Sequence, residues 1–164
     1  RQNAEKLGFN NVEFRLGDIE NMPVSDNVAN VVVSNCVMNL VPDKAKAFAE
    51  TFRVLKPGGH FSISDIVLAG ELPQGLQKAA EMYAGCVSGA VQKSEYLRII
   101  AETGFEDIRI QKEKRITLPD DILSNYISDE EIAIFKNGGT GVFSITVYAE
   151  KPGNGMGVQS SVCC

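Results

Sequence analysis

Two small polar residues and a cysteine end a continuous apolar run, V-V-V-S-N-C from Val31 to Cys36. A continuous β-branched run flanked by turn formers predicts a strand buried on both faces, the type found inside parallel sheets. In open α/β sheets, ligands bind in the crevice outside the carboxyl ends of the strands. Ser34, Asn35 and Cys36 are therefore the first candidates for a site.

A second thiol, Cys86, follows Cys36 by fifty residues and lies at the border of an apolar stripe with helical spacing. Thiolates ligate soft metal centres. A cysteine in such a stripe is also often a small buried hydrophobe. The chain ends in the vicinal pair Cys163 and Cys164, and four cysteines allow three disulfide pairings that the sequence cannot rank. From the residues alone, these alternatives stay open.

The turn G-D-I-E is a further candidate site, because Asp18 and Ile19 come just after a predicted strand. A carboxylate there can accept a hydrogen bond from an adenine amino group while an aliphatic side chain covers the ring. Asp18 can equally be a turn residue that caps the next segment. Asn35 offers amide donors and an acceptor, or is a structural turn residue.

Strands and helices alternate in the first half of the chain. Apolar and charged residues alternate over Val12–Leu16, which predicts a strand with one face covered. Asn30–Ser34 is the predicted central strand, and Asp43 caps the helix that follows it. The turn Lys56–Gly59 leads to a strand at Phe61–Ser64. Strand, helix and strand in this order predict a right-handed βαβ unit with parallel strands.

The second half contains two predicted helices and two late strands. One helix runs from its cap Ser94 to Gly104, and a capping box of Ser128 and Glu131 opens a short helix that ends at Asn137-Gly138. Alternating apolar residues predict two further strands, which we expect to form an antiparallel edge pair. These alternating residues are Ile108, Ile110, Phe143, Ile145 and Val147.

Composition suits one globular domain: 164 residues, 44% hydrophobic and 23% charged, with a net charge of −5. Scattered basic residues argue against nucleic acid and anionic membranes as partners. No apolar run approaches the length of a membrane span, so a cytoplasmic protein is expected. The stretch Arg1–Gly8 resembles the end of a helix capped by Gly8. We therefore expect a fragment, with a partial domain over residues 1–151 and a flexible tail over 152–164.

Three segments taken together carry a family resemblance: G-D-I, V-V-V-S-N, and L-K-P-G-G followed by a strand. In this order they resemble the second half of class I S-adenosylmethionine-dependent methyltransferases. The resemblance implies an α/β fold with a doubly wound, mostly parallel sheet whose first strands precede Arg1. The segments S-N-C-V-M-N-L-V-P-D-K, I-S-D-I-V-L-A-G-E-L-P and Y-A-G-C-V-S-G-A resemble arsenite methyltransferases over residues 9–104.

The arsenite methyltransferase resemblance implies methyl transfer from S-adenosylmethionine to trivalent arsenic, as arsenite or methylarsenite. Arsenic would be held by the thiolates of Cys36 and Cys86, with Cys163 and Cys164 as possible further ligands and another family cysteine before Arg1. The implied cofactor contacts are Asp18, Ile19, Glu20 and Asn35. Thioredoxin or glutathione would act as the reductant, and no general base would be needed because arsenic has no proton to lose.

Two other functions remain open at this stage. One is a methyltransferase that acts on oxygen or carbon of a small metabolite, with Asp65 or His60 as the base. His60 opens a strand after two glycines and is otherwise expected to be structural. The other is a thiol-rich fragment that binds arsenic without transferring a methyl group.

Overall fold

The structure, a computed structural model, describes residues 2–72, 74–76, 78, 87 and 89–153. Its named elements alternate between helices and strands up to the third strand, after which two short helices precede the last strand. They are α1 (Gln2–Leu7), β1 (Ala29–Asn35), α2 (Lys44–Val54), β2 (Leu55–Ala69), α3 (Lys93–Thr103), β3 (Glu106–Arg115), α4 (Asp120–Leu123), α5 (Asp129–Asn137) and β4 (Gly141–Glu150).

The four strands form one mixed sheet in the order β1-β2-β4-β3. β1 and β2 are parallel and are connected through α2, which confirms the predicted βαβ unit. β4 is antiparallel to both of its neighbours, β2 and β3. The two late strands therefore pair as predicted, but only β3 lies at the edge, because β4 inserts between β3 and β2.

The prediction that β1 is a central strand buried on both faces is wrong. Within the described residues β1 pairs with β2 alone, and Val31 and Val33 are 47% and 75% exposed. An apolar run indicates only that both faces of a strand carry side chains that can be buried. Whether it is buried depends on the strands and helices that lie beside it, which the run itself does not specify.

The predicted strand over Val12–Leu16 is also wrong. No regular strand is present at 12–16, and Leu16 is 98% exposed. Strand backbone is stabilised by a hydrogen-bonded neighbour, and none of the four described strands lies beside this segment. The helix end before it is as predicted, since α1 ends at Leu7 and Gly8 takes the left-handed conformation with φ of 71°.

Two apolar clusters cover the two faces of β2, whose successive side chains point to opposite sides of the sheet. Phe61, Ile63 and Val67 pack with residues of α2 and α3 in the larger cluster. Ile66 packs in the smaller cluster, which includes residues of α5. The larger cluster contains the chain's aromatic core, in which Phe61 contacts Phe48 and Phe105 with ring centroids 5.8 and 4.8 Å apart.

Helix caps agree with the sequence at two of three positions. Asp43 caps α2 by accepting a hydrogen bond from the Lys46 backbone N–H at 3.0 Å. Ser128 and Glu131 form the predicted capping box of α5. The prediction of Ser94 as a cap is wrong, because α3 begins at Lys93 with Gln92 in the capping position. α3 ends as predicted at Gly104, which has φ of 104°.

The turn Lys56–Gly59 follows the end of α2 as predicted but belongs to the first part of β2, which is much longer than the predicted strand at Phe61–Ser64.

Of the predicted apolar stripe around Cys86, Leu76 and Val87 are buried. Ala79, Ala80, Tyr83 and Cys86 lie outside the described residues. Among the described residues, no helix has the length and apolarity that crossing a membrane requires.

Candidate active site

Cys36 lies directly after the carboxyl end of β1, as the sequence predicts. Its backbone N–H donates to the Ser64 carbonyl oxygen on β2 at 2.8 Å, so the residue is held against the neighbouring strand. Its side chain is half-buried. Its φ is 55°, in the left-handed region that a residue with a Cβ rarely adopts. The surrounding contacts therefore hold this thiol in a backbone conformation that costs free energy.

The two residues before Cys36 are placed differently from each other. Asn35 is exposed at the last position of β1, opposite Ser64 in the parallel register. The Ser34 hydroxyl is buried and makes no hydrogen bond within the described part of the chain. Asn35 is therefore the accessible polar group at this strand end.

The turn Asp18–Glu20 approaches the same end of the βαβ unit. Asp18 Oδ1 accepts a hydrogen bond from the Glu20 backbone N–H at 2.9 Å, which closes the turn. Glu20 Oε1 accepts from the backbone N–H of Asp43, the cap of α2, at 3.1 Å. Ile19 packs against the larger apolar cluster. The structure therefore brings the Asp18–Glu20 turn to the amino end of the helix that follows β1.

A shallow depression of about 260 Å³ lies at this turn, and its lining includes Asp18 and Ile19. The carboxylate of Asp18 and the aliphatic side chain of Ile19 therefore line one exposed depression.

The turn that follows Cys36 is buried, unlike β1 itself. Met38 and Asn39 are each 1% exposed, within a short 3₁₀ turn at Met38–Leu40. The Lys44 ammonium donates to the carbonyl oxygens of Asn39 and Val41, both at 3.1 Å. A lysine of the first turn of α2 thus satisfies the backbone of the segment before it.

A buried carboxylate, Asp65, lies behind this turn on β2. The Tyr96 hydroxyl of α3 donates to Asp65 Oδ2 at 2.7 Å. Burial raises the pKa of Asp65 to about 6, while the Tyr96 hydrogen bond, the Asn39 backbone amide and the Lys44 charge act in the opposite direction. Burial lowers the pKa of Lys44, and the Asp65 charge opposes that shift. Asp65 and Lys44 therefore stabilise each other's charge across the turn.

Sequence reasoning missed the roles of Lys44 and Tyr96. Lys44 occupies the first turn of an amphipathic helix, where a lysine is ordinarily solvated, yet it is 8% exposed. Tyr96 follows the apolar spacing of α3 and is fully buried, as a core tyrosine would be. The one available signal was Asp65 itself, a carboxylate that interrupts an apolar strand.

The polypeptide near Cys86 contacts the turn after Cys36. Gly89 packs so closely on Asn39 that a Cβ at Gly89 would come within 2.0 Å of the Asn39 carbonyl oxygen. Cys86 itself, with Cys163 and Cys164, lies outside the described residues. The contact therefore joins two described residues, Gly89 and Asn39, each of which lies three positions from a cysteine in the sequence.

His60 packs away from the residues at the carboxyl end of β1. Its ring lies against the ring of Tyr148 with centroids 5.0 Å apart. Asp65 is 1% exposed and accepts from Tyr96. Neither of the two residues considered as a base for oxygen or carbon methylation is presented to solvent at the end of β1.

Comparisons with known proteins point to one family. The family model described as "Methyltransferase domain" matches residues 1–104. The chain is 38% identical over 152 residues to an arsenite methyltransferase of Halobacterium salinarum, covering 93% of this chain and 37% of that protein. It is 34% identical over 147 residues to the human arsenite methyltransferase, covering 84% of this chain and 39% of that protein.

A solved structure gives the same result for the fold. The chain resembles the crystal structure of an arsenic (III) S-adenosylmethionine methyltransferase from Chlamydomonas reinhardtii with a TM-score of 0.69 and 31% identity. The match covers 93% of this chain and 49% of that one. The chain thus spans less than half of the length of these relatives.

Proposed function

Because the chain belongs to the methyltransferase-domain family, we propose that it is part of an S-adenosylmethionine-dependent methyltransferase that methylates trivalent arsenic. The observation that carries the proposal is Cys36, a thiol held in the left-handed conformation at the carboxyl end of β1. The similarity to arsenite methyltransferases covers this residue and most of the chain.

Trivalent arsenic is a soft centre and prefers thiolate sulfur to oxygen, as soft metals do. We propose that Cys36 and Cys86 bind it together. The contact between Gly89 and Asn39 supports this pairing, because each of these residues lies three positions from one of the cysteines. Three residues span at most about 10 Å. Chain length therefore permits the two thiols to approach one atom.

The cofactor contacts in this proposal are Asp18, Ile19, Glu20 and Asn35. Asp18 would accept from the adenine amino group and Ile19 would cover the ring, while Glu20 holds the turn against the cap of α2. S-adenosylmethionine, when bound, would supply an electrophilic methyl carbon on a positively charged sulfur. The chain's own contribution is to hold donor and acceptor in one geometry, which accounts for much of catalysis in transfer reactions of this kind.

The arsenic lone pair needs no deprotonation, so the site requires no general base. This agrees with a strand end that carries Ser34, Asn35 and Cys36 and with the engagement of Asp65 and His60 elsewhere. Methyl transfer would form an As–C bond with the arsenic lone pair while the methyl–sulfur bond of S-adenosylmethionine breaks, its electron pair stays on sulfur, and S-adenosylhomocysteine leaves. Arsenic would thereby be formally oxidised from the trivalent to the pentavalent state. A two-electron thiol reductant, thioredoxin or glutathione, would then restore the trivalent state.

The test is methyl transfer from labelled S-adenosylmethionine to arsenite by the natural full-length protein in the presence of glutathione. Cys36→Ser should lower kcat/KM by about 100-fold or more, the range observed when a group that positions reactants is lost. Val37→Ser, which places the same hydroxyl one residue later, is the matched control and should retain activity.

Two results would contradict the proposal. A Cys36→Ser variant that methylates at the wild-type rate would favour the oxygen or carbon methyltransferase. Arsenite binding by the wild type without S-adenosylmethionine binding in calorimetry would favour the binding fragment.

A further inference from the structure

We propose that Lys44, Asp65 and Tyr96 are positioning residues that hold the turn behind Cys36 and thereby fix the arsenic-binding conformation of its thiol. We name these three residues the backbone clamp. This inference rests on the proposed function and adds to it residues that lie behind the site and do not touch arsenic.

The backbone clamp acts on the main chain of the turn at two carbonyl groups. The Lys44 ammonium donates to the Asn39 and Val41 carbonyl oxygens, which lie three and five residues after Cys36. At its other end, Cys36 donates its backbone N–H to Ser64, the residue before Asp65 on β2. The segment from Cys36 to Val41 is thus tied at both ends.

The charge of Lys44 requires a partner because the residue is buried. Asp65 supplies the negative charge, and its electrostatic interaction with Lys44 opposes the effect of burial on both groups. Tyr96 then fixes the Asp65 carboxylate through a 2.7 Å hydrogen bond. Each member of the backbone clamp therefore depends on the next, from α3 through β2 to α2.

Fixing the turn matters because of the conformation of Cys36. A residue with a Cβ stays in the left-handed region only when its surroundings over-determine that conformation. With φ of 55°, Cys36 would relax toward an ordinary backbone geometry once the turn is released. Relaxation would move the thiol relative to a second arsenic ligand, and arsenite affinity would fall.

The test compares Lys44→Met and Tyr96→Phe with the wild type in the natural full-length protein. Arsenite binding is followed by the near-ultraviolet absorbance of the arsenic–thiolate bond, and KM for arsenite and for S-adenosylmethionine is measured separately. Lys44→Met should weaken arsenite binding about tenfold and raise KM for arsenite by a similar factor. This is the scale expected from the free-energy cost of holding one residue in the left-handed conformation. Tyr96→Phe should weaken arsenite binding about threefold by the same reasoning.

Lys46→Met is the matched control, because Lys46 lies two residues later on α2 and is exposed. It should bind arsenite as the wild type does. KM for S-adenosylmethionine should stay within about twofold in all variants, a split that general loss of structure would not produce. If Lys44→Met fails to fold, Tyr96→Phe decides the question alone.

Wild-type arsenite affinity in every variant that folds would overturn the backbone clamp while leaving the proposed function intact. Failure of the wild type itself to bind arsenite would instead overturn the proposed function.

Discussion

β1 and β2 are adjacent parallel strands with similar apolar content, yet their burial is opposite. Phe61 and Ile63 of β2 are completely buried, whereas Val33 of β1 is 75% exposed. β2 has β1 on one side and β4 on the other, while β1 has one described neighbour. The difference shows that the burial of an apolar strand depends on the elements that pack beside it. Similar apolar residues in two strands can therefore contribute very different amounts to the free energy of unfolding.

The same comparison extends along the chain from β1 to its turn. The strand is exposed, but Met38 and Asn39 immediately after it are buried. The turn behind the candidate site is thus packed, whereas the apolar strand that leads into the site is exposed. The turn that supports the candidate site can therefore be well packed even though β1 itself is exposed.

The largest expected effect comes from replacing one side chain of each strand by alanine in the 164-residue chain. Phe61→Ala should lower the free energy of unfolding by about 3–5 kcal/mol, because it removes a buried ring from the larger cluster. Val33→Ala should change it by less than about 0.5 kcal/mol, as expected for an exposed side chain. Urea unfolding followed by circular dichroism measures both. Equal losses at the two positions would mean that the outer edge of β1 is covered in solution.

A pH series sharpens the comparison at Asp65, the charge buried on β2. Burial raises the pKa of Asp65 in the folded state to about 6, above the ordinary carboxyl value of 3.8. Between these values the folded state holds a proton that the unfolded state has lost, so Asp65 lowers stability as pH rises through this window. The stability that protonated Asp65 contributes to the folded state is fully present below pH 3.8 and is lost above about pH 6.

Asp65→Asn should remove this dependence. Relative to the wild type, the variant should gain about 2 kcal/mol of unfolding free energy between pH 4 and pH 7, the part of the pKa difference that falls within this range. Urea unfolding at both pH values measures it. Glu106→Gln, an exposed substitution on the edge strand β3, is the control and should show no comparable gain. A constant difference between variant and wild type across the series would contradict the prediction.

The smallest effect concerns α2, the helix that joins the two strands. Asp43→Ala removes the cap that accepts from Lys46 and should cost about 1 kcal/mol. Ser94→Ala is the matched comparison, because Ser94 is exposed inside α3 and does not cap it. We expect less than about 0.5 kcal/mol there. A loss at Ser94 equal to that at Asp43, measured by thermal unfolding, would show that Ser94 caps α3 after all.

Local signals predicted much of the fold. The βαβ unit, the caps at Asp43 and Ser128, the end of α3 at Gly104 and the two antiparallel late strands all depend on short-range patterns and were confirmed. The strand at Val12–Leu16 failed, because alternation describes how a segment would pair and cannot supply the neighbour it pairs with. The candidate contacts at Asp18, Ile19, Glu20 and Cys36 lie at the expected end of the βαβ unit. Their roles, and those of Cys86, Cys163 and Cys164, remain predictions.

By itself, the sequence determined the helix caps at Asp43 and Ser128 and the helix ends at Gly8 and Gly104, since those features depend on backbone preferences within a few positions. It also determined that a thiol follows β1. Only the tertiary structure decided that β1 has one neighbouring strand among the described residues, that Lys44 turns inward to bind the backbone behind Cys36, and that Tyr96 of α3 donates to Asp65 of β2. The Tyr96–Asp65 hydrogen bond joins residues 31 positions apart, and a contact between distant segments exists only once the chain has packed.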